Sequence, residues 1–241
     1  MTQLINDLGQ PIAEPVSGEF PRPVPPRTPI DGSYCRIVPL DIDAHCTALF
    51  DAYAEDIENR IWTYLPYGPF PDAPAYRDWM VATCTDDETI FYTILDATGT
   101  PVGLAAYLRM KPRMGVIEIG HINYAPRLQR NAAATEAQFL FMKRAFDELG
   151  YRRYEWKTDT MNKASIRAGQ RLGFLYEGTF RQAQITKGRN RDTAWYSILD
   201  HEWPKIGARF EQWLSPENFN DDGSQKTSLR VRTGADPCLV P

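Results

Sequence analysis

The sequence predicts an α/β fold built on a mixed, mostly antiparallel central sheet flanked by helices. Three observations carry that prediction. Strand-like runs follow one another directly at 89–96, 101–110 and 115–124, which implies antiparallel neighbours. The third run leads into a long helical pattern and then a further strand, 151–158, so that pair needs one parallel crossover. At 241 residues the chain suits one core with long terminal extensions better than two domains.

Taken in order, residues 9–29 hold Pro11, Pro15, Pro21, Pro23, Pro25, Pro26 and Pro29, too many for a helix or a central strand. They read as an extended arm, with Leu4, Ile5, Val16 and Phe20 available to pack along the domain or a second subunit. Cys35 to Leu40 alternates as a strand does, and 43–56 carries Leu49, Phe50 and Tyr53 at helical spacing. Residues 75–84 form a second helical run, and Ala97-Thr98-Gly99-Thr100 supplies the turn between the next two strands. Positions 133, 137, 140, 141, 145 and 149 recur at steps of three and four, predicting a helix over 131–149 that Gly150 ends, with Glu136 off the apolar stripe. After the strand 151–158 comes a helix over 162–174, with Asn162 as N-cap and Gly173 as its stop. Strands at 174–182 and 192–200 and a helix around 203–213 complete the pattern. The expected organisation is an arm (1–32), a domain (33–202), and a C-terminal helix and tail (203–241). In that tail the run from Pro216 reads as loop or disorder, anchored by Trp213 and Phe219.

Composition excludes more than it names. A formal net charge of −4 without a clustered basic face gives no reason to expect a nucleic-acid partner. No apolar run approaches the ~20 residues that span a bilayer, and the polar start lacks a signal-peptide core, so a cytoplasmic protein with no membrane partner is expected. Cys35, Cys46, Cys84 and Cys238 have no metal-ligand or redox spacing, which predicts free thiols and no metal.

The start of the 131–149 helix carries the chemistry. Unpaired N–H groups and the positive dipole end of a helix form an anion site. Small side chains at Ala132, Ala133 and Ala134 allow a pyrophosphate to approach the backbone, and Thr135 adds a hydroxyl. Simple helix propensity also accounts for three alanines there.

LQRNAAATEA, from Leu128 to Ala137, resembles the acetyl-CoA loop of the GNAT N-acetyltransferases, Q/R-x-x-G-x-G/A, with Gln129, Ala132 and Ala134 at the defining positions. WTYLPYGPF (62–70), NKASIRAGQRLGF (162–174), FLYEGTFRQ (174–182) and DTAWYSIL (192–199) look, in the same order, like the RimJ/RimL branch of that family. The resemblance covers about residues 33–202 and implies a sheet whose parallel strand pair splays apart to admit the pantetheine arm. It implies that Ile122, Asn123 and Tyr124 offer strand backbone to pantetheine, and that N–H groups from Gln129 through Arg130 and Asn131 to Thr135 hold the pyrophosphate. Asn162 and Ser165 are further cofactor contacts by the same resemblance, although Asn162 is equally an ordinary N-cap.

The resemblance further implies direct acetyl transfer to an amine, with Glu118 as general base. A solvent-facing strand glutamate is the plain alternative. His121 is the rival base by its ordinary pKa of ~6.5, but strict alternation puts it on the face opposite Glu118. Many family members place a tyrosine just before the LGF motif as general acid. Gly169 stands there in this chain, which leaves Tyr176 or Ser165 as substitutes. Trp62, Tyr64, Tyr67 and Phe70 lie in the segment that walls the family's acceptor pocket, and Arg181, with Lys187, Arg189 and Arg191, is placed to orient an acidic acceptor. The implied acceptor is a small amine, an amino acid or a protein N-terminus, and the long arms suit a homodimer. Two other classes compete: a non-catalytic acyl-CoA-binding module, and an interaction protein whose PRPVPPR run (21–27) is a polyproline ligand.

Overall fold

An eight-stranded sheet organises the chain, as the consecutive strands predict. The computed structural model describes residues 4–229. Two short strands, β1 (Leu4–Ile5) and β2 (Pro11–Ile12), pair only with each other. The main sheet contains β3 (Ile30–Asp31), β4 (Arg36–Pro39), β5 (Ile90–Leu95), β6 (Pro101–Lys111), β7 (Val116–Tyr124), β8 (Arg153–Asp159), β9 (Leu175–Thr186) and β10 (Arg189–Leu199). Their spatial order is β3-β4-β5-β6-β7-β8-β10-β9, and every neighbouring pair is antiparallel except β7 with β8.

Helices α1 (Ile42–Tyr53) and α2 (Ala73–Thr83) start where aspartates cap them: Asp41 accepts from the Ala44 N–H and Asp72 from the Ala75 N–H. They bury Leu49, Tyr53, Tyr76 and Met80 with Phe91, Leu104 and Ala106 on one face of the sheet. Helices α3 (Ala132–Lys143), α4 (Lys163–Arg171) and α5 (Trp203–Leu214) lie with the other core, where Phe141 and Phe210 join Ile117, Ile119, Tyr154 and Tyr196. Alternation along a strand therefore assigns each β7 residue to one of two faces.

The helix read as 131–149 changes character at Arg144, where the ladder widens into a π-helical turn that Gly150 ends at φ +68°. Glu136, expected on the polar stripe, is instead buried. Its carboxylate accepts the N–H groups of Ser33 (2.7 Å), Tyr34 (2.7 Å) and Cys35 (2.9 Å), tying the start of α3 to the segment leading into β4. Buried Arg144 donates to the Thr28 and Pro29 carbonyls, and the Tyr92 hydroxyl to the Pro26 carbonyl, so the proline-rich arm follows the domain from about residue 20. Further out Leu4, Ile5 and Val16 are exposed. The segment after α5 is ordered against the body: Trp213 and Phe219 meet edge to face, and the Trp213 indole donates to the Thr227 carbonyl. Cys35, Cys46 and Cys84 are free and buried, whereas Cys238 lies outside the described residues.

Candidate active site

The parallel pair is incomplete. β7 and β8 are paired from Val116 with Arg153 to Ile119 with Trp156, and pairing ends there although both strands continue. Beyond the fork Gly120, Asn123 and Tyr124 have strand partners on β6 alone, and Thr158 and Asp159 on β10 alone. The result is a V-shaped gap with a free strand edge, and Glu118 and Lys157 stand at its fork.

Strict alternation fails on β7. Ala106 pairs with Gly120 while Leu104 pairs with Asn123, so β7 spends one residue more than β6 over this stretch. His121 absorbs the bulge at φ +50°. Its ring lies 5.7 Å from Tyr67, nearly parallel to it, and 4.9 Å from Phe91, on the α1/α2 side. Ile117 and Ile119 point to the opposite core, so Glu118 shares the α1/α2 side. The expected opposition of Glu118 and His121 is thereby corrected: the bulge turns both to one face. Burial drives the His121 pKa down to about 4, with Arg109 adding to the effect, so its imidazole is neutral at pH 7. Its Nδ1 lies 3.2 Å from the Tyr67 hydroxyl.

Glu118 is not a solvent-facing strand glutamate; it is 3% exposed. Arg109 Nη1 donates to its Oε1 and Lys157 Nζ to its Oε2, each at 2.6 Å. Lys157 also binds Glu155 at 2.8 Å, Arg153 binds Glu155 and Glu177, and Ser197 donates to Glu177. Burial pushes the Glu155 carboxyl up, but hydrogen bonds from Lys157 and Arg153 outweigh it and hold it below its usual value. Arg109 and Lys157 were not singled out from the sequence. The alternation of Arg153, Glu155 and Lys157 against Tyr154 and Trp156 carried the signal for Lys157, whereas Arg109 reaches Glu118 from a φ of +46° that no local pattern announces.

Beyond the far end of β7 the chain turns into α3. Gln129 leaves the short turn extended, Arg130 takes φ +61°, and Asn131 caps the helix by accepting from the Ala134 N–H at 2.9 Å. Gln129 Nε2 donates back to the Tyr124 carbonyl and Asn131 Nδ2 to that of Arg127. With the Gln129 N–H bonded to Pro126 and that of Ala134 to the cap, Ala132 and Ala133, as the first two helical residues, present N–H groups without intrahelical partners. A cavity of about 500 Å³ opens beside them, lined also by Tyr34 and Phe219. Thr135 departs from expectation: the residue is 4% exposed and its hydroxyl accepts from Arg171.

Asn162 caps α4 through the Ser165 N–H, and the Ser165 hydroxyl accepts from the Trp156 indole, so both sit at the mouth of the gap after β8. Tyr176 is not brought to Glu118. It pairs with Tyr196, which pairs with Trp156 on the α3/α4 side, and its hydroxyl bonds Thr179. On the α1/α2 side, buried Trp62 meets Tyr67 and Phe70 edge to face. The Tyr64 hydroxyl donates to the Met161 carbonyl at 3.0 Å. From the tight turn between β9 and β10, Lys187 Nζ donates to the Trp62 carbonyl at 2.7 Å, which folds the hairpin tip over the aromatic loop. Arg181 is exposed on β9, near Asp192.

This arrangement matches known proteins over most of its length. Residues 36–175 match the family model of the acetyltransferase (GNAT) domain. The structure superimposes with a TM-score of 0.85 on a GCN5-related N-acetyltransferase from Brucella melitensis, 44% identical, over 88% of this chain and 96% of that one. It superimposes at 0.76 on a probable acetyltransferase of the GNAT family from Chromobacterium violaceum, 42% identical, over 81% of this chain and 98% of that one. An uncharacterised N-acetyltransferase, p20, from Bacillus licheniformis is 27% identical over 155 residues, or 61% of this chain and 84% of that protein. With the family model spanning more than half of the sequence and two solved structures over 40% identical sharing the fold, the chain belongs to the GNAT acetyltransferases.

Proposed function

We propose that the protein transfers an acetyl group from acetyl-CoA directly to an amine of a small molecule, amino acid or protein N-terminus, in the manner of the RimJ/RimL branch it resembles. The observation that carries the reading is the gap between β7 and β8, with paired-off strands at its fork and the capped start of α3 beyond its far end. The Ala132 and Ala133 N–H groups face the pyrophosphate, and the free edge of Ile122, Asn123 and Tyr124 faces the pantetheine amides. Asn162 and Ser165 border the same path, and Tyr64, Tyr67 and Phe70 wall the acceptor side.

The amine attacks the thioester carbon, a C–N bond forms, the C–S bond breaks, and the thiolate leaves. The proton lost by nitrogen passes to Glu118, directly or through water. Arg109 and Lys157 occupy one lone pair on each of its oxygens, and each oxygen retains another. His121, neutral at pH 7 and engaged through Nδ1 with the Tyr67 hydroxyl, orients the acceptor together with Tyr67. The leaving thiolate takes its proton from solvent; a thiol pKa near ~8.5 makes it a good leaving group without Tyr176.

The test is release of free thiol from acetyl-CoA with a panel of amines. Amine-dependent release that falls with Glu118→Gln at unchanged CoA affinity is expected. Tight CoA binding with no release for any amine would make the chain a non-catalytic acyl-CoA-binding module.

A further inference from the structure

Strand β10 holds three buried polar groups without partners. Arg191 Nε, Thr193 Oγ1 and Trp195 Nε1 each lack a hydrogen-bond partner among the described residues. β10 itself runs regularly here; the register shifts against β9 arise from extra residues on β9, including Gln182 at φ +51°. Residues 191, 193 and 195 therefore share one face. That face is the one Glu118 occupies, because Trp195 pairs with Lys157 and the Lys157 ammonium lies 3.7 Å from the centre of the Trp195 ring.

A buried donor left unpaired costs more than a typical hydrogen bond returns, so three on one face of a short stretch require a reason. The Arg191 Nε and the indole can only donate, and the Thr193 hydroxyl can donate as well. Their common partner is an acceptor. Charge narrows its chemistry further. Arg109, Arg153 and Lys157 are each matched to a glutamate, whereas neither Arg191 nor Lys187 has a carboxylate within ion-pair distance among the described residues. Burial holds the Arg191 guanidinium below its usual pKa, with Arg109 adding to the effect and Asp159 and Glu118 opposing it from beyond contact.

We infer that Arg191, Thr193 and Trp195 form a subsite for a carboxylate carried by the acceptor amine, with Lys187 closing it from the hairpin tip. The inference rests on the proposed transfer to an amine beside Glu118. Through Glu155, Ser197 is the β10 residue level with Glu118, two strand spacings or ~10 Å away, and Arg191 lies six residues, ~20 Å of backbone, further along β10. The Arg191 guanidinium still feels the charge of Glu118, so the two long side chains reach along the same face toward an amino acid, or the first residue of a peptide, with its amine at Glu118 and its carboxylate at Arg191. The carboxylate stays unchanged through the reaction and forms charge-assisted, two-pronged bonds with the guanidinium.

Calorimetric titration of the protein saturated with CoA needs no turnover, and so separates this inference from the proposed reaction, which thiol release tests. One arm compares alanine, leucine and phenylalanine with their α-carboxamides. The other compares short peptides beginning with Asp or Glu against those beginning with Asn or Gln. About tenfold tighter binding of the carboxylate member is expected in one arm, identifying an α-carboxylate or an acidic side chain as the group bound. Arg191→Gln should reduce that preference to within about twofold, with CoA affinity and melting temperature serving as controls for folding. Lys187→Gln, at an exposed turn, should weaken it about threefold and provides the second variant if Arg191→Gln does not fold. Equal binding in both arms, or a preference that either folded variant leaves unchanged, overturns the subsite.

Discussion

Lys157 Nζ meets Glu118 Oε2 at 2.6 Å where β7 and β8 part, and the same ammonium holds Glu155 at 2.8 Å. One cation thus keeps two buried carboxylates together at the point where the sheet opens. Lys157→Met removes it and leaves both acids facing each other. A loss of about 3–5 kcal/mol is expected from urea unfolding at pH 7. Glu118→Gln leaves Lys157 on Glu155, so it should cost much less stability while lowering kcat by about 10²-fold or more. Equal destabilisation by the two variants would argue against a shared cation.

His121 links this face to pH. Its folded pKa of about 4 lies below the ordinary value of 6.5, so the unfolded chain binds the proton more readily. The stability contribution is complete above pH 6.5 and is lost as pH falls from 6.5 through 4, by about 3 kcal/mol in all. Burial lowers the His45 pKa as well, which adds a slope of the same sign. His121→Asn, chosen because asparagine tolerates a positive φ, should flatten but not abolish the rise in unfolding free energy between pH 4 and 6.5. A slope unchanged by the substitution would assign the linkage elsewhere.

The parts of the fold legible in the sequence are those set by period and by caps. Consecutive strands, the crossover and the Asn162 cap all follow from local pattern, and so does the alanine-rich start of α3. What alternation could not supply is the β7 bulge: one extra residue against β6 reverses the face of every residue after it, and nothing in GHINY announces it. Glu136 was misread for a related reason. A glutamate off the apolar stripe normally points to water, and only the approach of residues 33–35, a hundred positions earlier, gives it three donors to accept. Arg109 and Tyr176 likewise depend on strand register, which connects distant positions.

Glu136 offers its own measurement. Glutamine keeps one acceptor oxygen but loses the charge and presents an amide donor to N–H groups that need an acceptor. Three charge-assisted bonds are weakened or lost, so Glu136→Gln is expected to reduce stability by about 2–4 kcal/mol, read from denaturant midpoints at constant m-value. A loss below about 0.5 kcal/mol would mean that water replaces the carboxylate.

The arm divides into two parts with opposite expectations. Removing residues 1–18 takes away the isolated β1–β2 hairpin and exposed Leu4, Ile5 and Val16, and should change stability by no more than about 0.5–1 kcal/mol. Removing residues 1–29 also strips Arg144 of the Thr28 and Pro29 carbonyls and Tyr92 of the Pro26 carbonyl. Unpartnered and buried, these groups should cost about 3 kcal/mol or more. If the longer truncation melts like the full chain, PRPVPPR is available as a free ligand and not a structural strap.

Ala134→Asp tests the cofactor loop without compromising the helix. Position 134 is the third residue of α3, where a carboxylate interacts favourably with the helix dipole, so the melting temperature should hold or rise slightly. The same charge near a bound pyrophosphate repels it. At ~5 Å and an effective dielectric of ~20, one pair of like charges costs about 3 kcal/mol, equivalent to roughly a hundredfold rise in the Kd for CoA. Titration calorimetry and thermal melting on the same preparation separate the two effects. Loss of binding with an intact melt places the pyrophosphate at Ala132 and Ala133. Binding retained within about threefold would move it away from this loop and, with it, the direction from which the thioester reaches Glu118.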